Sequence, residues 1–484
     1  MKILYTASEV LPFSSSGGLA DVMGSLPAAL KRLYPDSDIR VVSPLYSSIK
    51  NVWRQKMKKE CEFKVRLNWR EQYCGVFSLE YNGITYYFID NEYYFKRGSL
   101  YGNYDDGERF AYFCMAVMNV MSQLDFYPDI LHANDWQTAL TVIYLKTRFS
   151  MYEKYRDIKA VFSIHNILFQ GQFDFAILGD VFDLAPGVSP VVDYNGCINL
   201  MKGAIVCADS VVTVSERYAE EIKTSEYGHG LEGIMRLYSC KLFGILNGID
   251  YDYYNPQTDK AIAKNYTYRS VYRKKINKTA LQKELGLPVD ENIPMISVIS
   301  RLTDQKGLDL IADRADELLN DNVQLVVLGC GDAYYENFFR GLQYRHNDKM
   351  RALILYDKDL SKKIYAASDV FLMPSKTEPC GLSQMIASRY GAVPVVRETG
   401  GLYDSIKPYR YVDGKHIGNG FTFFSYNAHD MLYVTREALY TYQAKQEFAE
   451  LAARVMRVDF SWKNSAKKYA ELYNSLIPER QITT

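Results

Sequence analysis

Pro374-Ser-Lys-Thr-Glu-Pro-Cys-Gly-Leu-Ser-Gln384 follows directly on the apolar run Asp369–Met373 and leads into the helix-like run Leu382–Tyr390. An apolar strand that turns through Pro-Cys-Gly into a helix delivers one carboxylate, Glu378, to the strand's carboxyl end. The same turn presents the backbone amides of Cys380, Gly381 and Leu382 at a helix N-terminus, where unpaired N–H groups and the helix dipole favour an anion. Upstream, Ser300-Arg-Leu-Thr-Asp-Gln-Lys-Gly307 places Arg301 and Lys306 after a second apolar strand, Met295–Ile299. Two fixed cations, an amide-lined turn and a lone carboxylate suit a pyrophosphate joined to a sugar.

Outward from that stretch the C-terminal half alternates strand and helix. Val323–Leu328, Ala352–Tyr356 and Val393–Val396 are further short apolar strands, and Gly329-Cys-Gly-Asp332 and Thr399-Gly-Gly-Leu402 are Gly-rich turns after strands. The N-terminal half opens the same way. Lys2–Ala7 is a strand, Ser14-Ser-Ser-Gly-Gly-Leu-Ala-Asp-Val22 a turn, and an amphipathic helix runs on to Leu33. Gly17 and Gly18 would let backbone approach a ligand closely, although a Gly-Gly pair also serves as an ordinary strand-to-helix connection. After a strand at Ile39–Tyr46, Asn82-Gly83 between Phe77–Tyr81 and Ile84–Ile89 signals a two-residue hairpin, hence an antiparallel excursion at a sheet edge or a flap. A helix is expected over Gly107–Leu124.

Asp129-Ile-Leu-His-Ala-Asn-Asp-Trp136 and Lys159–His165 are strands that end in polar residues. A lone histidine after an apolar strand is more often structural than catalytic. Two strand ends delivering Asp135 and His165 together point to a site, because open parallel sheets bind ligands at those ends. Ser210–Ser215 and Leu242–Leu246 complete the half, the latter running into Asn247-Gly-Ile-Asp250. Tyr251–Lys278 lacks clear periodicity. The expected architecture is α/β, two doubly wound Rossmann-like domains facing across a cleft. The expected divisions are residues 1–250, a connection at 251–290, a second domain at 291–460, and a C-terminal helix at 461–484 packing back towards the first domain.

Composition narrows the function class. The chain has 484 residues, 57 basic and 57 acidic, so its bulk charge attracts neither nucleic acid nor an anionic membrane. Eight scattered cysteines, with no Cys-x-x-Cys, argue for reduced thiols and against structural zinc. No apolar run reaches the ~20 residues that span a bilayer, and the N-terminus has no signal-peptide anatomy, so a cytoplasmic location is expected. Forty-one tyrosines are an oddity; rings with polar tips suit sugar faces, but most are expected simply to pack.

Taken together the motifs resemble bacterial glycogen synthases and plant starch synthases. The resemblance is carried by Gly17-Gly-Leu-Ala-Asp-Val22, Leu100-Tyr-Gly102 with Glu108-Arg-Phe110, Asp135-Trp136, His165-Asn166, Tyr218-Ala-Glu-Glu221 with Tyr227-Gly-His-Gly-Leu231 and Leu246-Asn-Gly-Ile-Asp250. It continues through Ser300–Gly307 and Pro374–Leu382 to Asp459-Phe-Ser-Trp462, in order along nearly the whole chain. It implies the GT-B fold of glycosyltransferase family 5. The implied activity is retaining transfer of glucose from ADP-glucose to the non-reducing end of an α-1,4-glucan. Nucleotide sugar and glucan would be the partners, with no metal and no cofactor.

Residue by residue, the resemblance gives Arg301 and Lys306 to the donor pyrophosphate and Glu378 to the glucosyl hydroxyls. His165 and Asp135 fall around the sugar, and Asn247 at the cleft floor. The donor would also meet Ser15, Gly17, Gly18, Cys380, Gly381, Leu382 and Ser383, with Tyr356 stacking on adenine; the acceptor would meet Asp21, Tyr101, Asn166 and Gln170. Two positions depart from the family. Gln137 stands where histidine often follows Asp-Trp, and Ser15 replaces a lysine two residues before Gly-Gly. A charge-assisted hydrogen bond is worth roughly 1.5–3 kcal/mol, so that replacement alone would weaken donor binding about ten- to hundredfold. Compensation by another cation, a UDP-glucose preference and a weakly active glucan-binding regulatory paralogue are the alternatives it opens.

Overall fold

The computed structural model describes residues 1–477 and divides into two compact units, residues 1–247 together with the C-terminal helix from Trp462, and residues Gly248–Ser461. Residues 478–484 of the expected C-terminal helix lie outside the described residues.

The first unit is built on nine strands: β1 (Lys2–Thr6), β2 (Asp38–Pro44), β3 (Lys58–Leu67), β4 (Arg70–Tyr81), β5 (Ile84–Asp90), β6 (Ile130–Asn134), β7 (Lys159–Ile164), and, after a small three-stranded sheet of β8 (Gln172–Phe173), β9 (Asp193–Tyr194) and β10 (Cys197–Asn199), β11 (Ser210–Thr213) and β12 (Leu242–Gly244). The order is β12-β11-β7-β6-β1-β2-β5-β4-β3, and only β4 runs antiparallel to its neighbours. The antiparallel excursion therefore extends the sheet edge. Asn82 and Gly83 both take positive φ (51° and 75°), as a two-residue turn matched to the strand twist requires. β1 and β6 are neighbours from which the chain winds outward in opposite directions, so their carboxyl ends form the topological switch point where such sheets bind ligands. β1, β6 and β7 are almost wholly buried, as strands covered on both faces must be.

The C-terminal helix Trp462–Leu476 packs on the helix Gly18–Leu33 of this same unit. Its Tyr473 reaches into the sheet: the hydroxyl lies 2.7 Å from that of Tyr5 on β1 and 2.6 Å from Nδ1 of His132 on β6. Among the described residues, eleven of the twelve largest fully buried side chains are tyrosines, so part of the tyrosine excess fills cores.

The second unit holds an all-parallel sheet ordered β15-β14-β13-β16-β17-β20, from β13 (Met295–Ile299), β14 (Gln324–Leu328), β15 (Met350–Leu353), β16 (Val370–Met373), β17 (Val393–Arg397) and β20 (Phe421–Phe423); β18 (Arg410–Val412) and β19 (Lys415–Ile417) form a separate ribbon. Its switch point lies between β13 and β16, the two strands that lead into Arg301/Lys306 and Glu378.

The segment 251–290, expected to be a connection between domains, is instead part of the second unit. Its helix Lys274–Leu285 packs on the helix Lys358–Ala367. Lys274 is buried, donating to the carbonyls of Ala366 at 2.9 Å and Tyr390 at 2.7 Å, and Lys278 pairs with Asp369 at 2.6 Å. The buried lysines of the stretch are satisfied by helix-end carbonyls and a carboxylate, partners that residue polarity alone does not reveal.

Candidate active site

In the second unit, glycine lets the strand-end loops close on one another. At Gly307 (φ 68°) an added Cβ would stand 2.0 Å from the carbonyl oxygen of Pro374. At Gly400 (φ 43°) it would stand 2.1 Å from the carbonyl of Glu378, and at Gly401 2.0 Å from that of Cys380. Backbone thus rests on backbone between the loops after β13, β16 and β17, and this contact fixes where the functional side chains stand.

Within that frame Lys306 Nζ lies 2.6 Å from Glu378 Oε2, and Ser375 Oγ donates to the same oxygen at 3.0 Å. The cation assigned to phosphate and the carboxylate assigned to sugar hydroxyls are therefore one buried ion pair, a coupling that separate motifs could not reveal. Arg301 is exposed on the same loop as Lys306, and no acceptor holds its guanidinium among the described residues. Tyr356 is 76% exposed, as a stacking platform needs to be.

Cys380 is buried, Gly381 takes φ 71°, and Leu382 caps a helix of only seven residues, Ser383–Arg389, without a side-chain cap bond. Gln384 was not singled out by its sequence, yet it ties this turn down. Its Nε2 donates to the carbonyls of Cys380 (3.1 Å) and Gly381 (2.9 Å) and to Ser405 Oγ (3.1 Å). Ser383 hydrogen-bonds the hydroxyl of Tyr365.

The first unit's switch point gathers buried and half-buried titratable groups. Asp135 has φ 56° and ψ 176°, a backbone region that is nearly glycine-only and costs about 1–3 kcal/mol. It is pinned there by its N–H to Ser163 O (2.9 Å) and by its carboxylate, which accepts the amides of His165 (2.8 Å) and Asn166. Burial pushes Asp135 up to about 7, those amides oppose the shift, and Glu9 adds to it. His165 Nε2 lies 2.9 Å from Asn134 Oδ1, and burial lowers the ring to about 4.

Glu9, which the sequence reading passed over, is 3% exposed and accepts the amides of Ser16 and Gly17. Burial pushes it up to about 7, the amides oppose this, and Asp21 in the first turn of the adjoining helix adds to it. Its only sequence signal was a carboxylate at the end of the first strand.

At Gly17, though not at Gly18, the expected turn is corrected accordingly. Gly17 is extended, and its amide and that of Ser16 already point at Glu9 rather than outward. A Cβ at Gly18 would meet nothing within 4 Å, and Ser15 is exposed. Tyr101 OH lies 2.7 Å from Ser8 Oγ. Asn166 Oδ1 accepts the amide of Leu168 at 3.1 Å.

Gln170, expected at the acceptor, is also corrected. It is buried, its Nε2 donates to the carbonyls of Ile167 (3.1 Å) and His229 (3.0 Å), and its Oε1 accepts from Asn199 at 2.7 Å. Its amide holds the loop together and is not presented to a ligand. Asn247, where the chain leaves the first unit, is buried with Oδ1 unpartnered among the described residues. Among the described residues no group of three or more His, Cys, Asp or Glu side chains could hold a metal ion, and no helix is long and apolar enough to cross a membrane.

Two doubly wound α/β units, each with polar groups at its switch point, have the make-up of a GT-B glycosyltransferase, and the comparisons with known proteins assign that class. The family model described as starch synthase catalytic domain matches residues 2–237, and that of glycosyl transferases group 1 matches residues 277–454. A glycogen synthase of Clostridium perfringens is 50% identical over 479 residues, covering 99% of this chain and 98% of that protein. One of Geobacillus stearothermophilus is 46% identical over 485 residues, covering 100% and 99%. Among solved structures, the catalytic domain of starch synthase IV from Arabidopsis thaliana, bound to ADP and acarbose, superposes with a TM-score of 0.91 at 33% identity over 99% of each chain. The chain belongs to the glycogen synthase and starch synthase family.

Proposed function

We propose that this protein transfers glucose from ADP-glucose to the non-reducing end of an α-1,4-glucan with retention of configuration, in the cytoplasm and without a resident metal or cofactor. The observation that carries the reading is the Lys306–Glu378 pair on glycine-locked loops at the second unit's switch point, with Arg301 exposed on the same loop as Lys306. The naming of relatives such as the C. perfringens protein as glycogen synthases supports it, as does the ADP held by the A. thaliana starch synthase.

Arg301 and Lys306 would hold the donor pyrophosphate and take up the charge that grows on it as the C1–O bond to phosphate breaks. A phosphate reaching Lys306 would share its ammonium with Glu378, and the second carboxylate oxygen of Glu378 would accept a glucosyl hydroxyl. Tyr356 would stack on adenine. In the first unit, neutral His165 and the amide-bound carboxyl of Asp135 would meet sugar hydroxyls. The acceptor 4-OH would bond to C1 on the face the phosphate leaves and pass its proton to the departing phosphate oxygen. No second carboxylate is needed as a base in such a front-face displacement, unlike in glycoside hydrolysis.

Purified protein given ADP-glucose and glycogen should release ADP and lengthen outer chains, and Glu378→Ala should lower turnover on the order of a hundred- to thousandfold. Full activity in that variant would overturn the site assignment. The exposed hydroxyl of Ser15 favours testing one second reading, a UDP-glucose donor, by side-by-side turnover with ADP-, UDP- and GDP-glucose.

A further inference from the structure

Asn134 is the last residue of β6, which is held between β1 and β7, and it is 1% exposed. Its amide is fixed from both ends. Nδ2 lies 3.1 Å from the carbonyl oxygen of Thr6 and 3.4 Å from that of His132, while Oδ1 lies 2.9 Å from His165 Nε2. Carbonyl oxygens only accept, so the end facing Thr6 and His132 must be the NH2 group; reversing the amide would set three oxygens against one another. The end facing His165 is therefore an oxygen, which also only accepts. We infer that Asn134 is a positioning residue that locks His165 in its Nε2–H tautomer and so presents Nδ1 as a bare acceptor.

A neutral imidazole carries one hydrogen, and Asn134 claims it. The ring is half-buried, and Nδ1 makes no hydrogen bond among the described residues. The nitrogen left for a ligand can take a hydroxyl hydrogen but cannot give one. Burial favours the neutral ring, so the tautomer rather than a charge sets this polarity. Resting on the proposed reaction, the device would select a sugar whose hydroxyl donates to His165 and would orient that sugar through the hydrogen bond.

The test is ¹⁵N NMR of the full-length protein labelled at its six histidines, with His165 assigned by its loss in His165→Ala. The expected spectrum shows His165 with a pyrrole-type Nε2 and a pyridine-type Nδ1. Asn134→Ala should shift the ring towards the other tautomer and lower kcat roughly tenfold, the size of one hydrogen bond, with little change in KM for glucan. A hydrogen on Nδ1 in the unmodified protein, or an unchanged His165 spectrum in Asn134→Ala, would overturn the inference. Full turnover in His165→Ala would instead remove His165 from the proposed reaction and leave the tautomer result standing.

Discussion

The switch point of the second unit carries an ion pair, Lys306 with Glu378, and an exposed Arg301 on the same loop. That of the first carries Glu9, Asp135 and His165, all shifted towards neutrality by burial. The same βα architecture thus builds two electrostatic environments. Loops closed backbone to backbone by glycine can keep Arg301 at the surface, where an anionic pyrophosphate can reach it. Groups drawn under the turn are pushed by burial towards their uncharged forms, which suit hydroxyls.

The largest effect that would break the contrast is expected from Lys306→Ala. Turnover should fall on the order of a hundred- to thousandfold, and stability by about 3 kcal/mol because Glu378 is left buried without its cation. The double variant Lys306→Met/Glu378→Gln should recover most of that stability and none of the activity, which calorimetry and ADP release measure together. Arg301→Ala should cost about ten- to hundredfold in kcat/KM. As an exposed residue it should leave the unfolding free energy within about 0.5 kcal/mol.

Glycine substitutions sharpen the comparison next. Gly307→Ala and Gly400→Ala force a Cβ into a carbonyl oxygen at positive φ and should destabilise by at least about 1–3 kcal/mol. Gly18→Ala, with open space around it, should be near neutral in urea unfolding.

The first unit also carries a pH dependence of its own. Glu9 and Asp135 bind protons more tightly folded than unfolded, so their contribution is fully present below the ordinary carboxylate values and is lost as pH rises through about 7. His165 and His132, lowered to about 4 and about 3, run the other way: their contribution is present above the ordinary imidazole value and is lost as pH falls. The four partly cancel in the unmodified protein. Asp135→Asn isolates one of them, and its stability relative to the unmodified chain should rise between pH 5 and pH 8 in thermal melts.

The fold was legible wherever parallel strands had to be apolar runs, as at Met295–Ile299, and where a turn demanded positive φ, as at Asn82-Gly83. That Lys306 and Glu378 stand on neighbouring loops could be read because their strands meet at a switch point, although their ion pair could not. Residues that act through other residues could not be read. Gln384 and Gln170 look like any polar side chain until their amides are seen to satisfy backbone carbonyls. Asn134 and Glu9 draw their roles from Thr6, His165, Ser16 and Gly17, contacts that no periodicity encodes. Lys274 and Lys278 show the converse, since the carbonyl and carboxylate partners that let a lysine be buried are not encoded in its residue type.

The division of labour between charged and neutral sites is tested most directly by calorimetric titration of ADP into the unmodified protein, Arg301→Ala and Asp135→Asn. Arg301→Ala should raise Kd about ten- to hundredfold, and Asp135→Asn should leave it nearly unchanged. ADP affinity unaltered in Arg301→Ala, or lost in Asp135→Asn, would contradict the account.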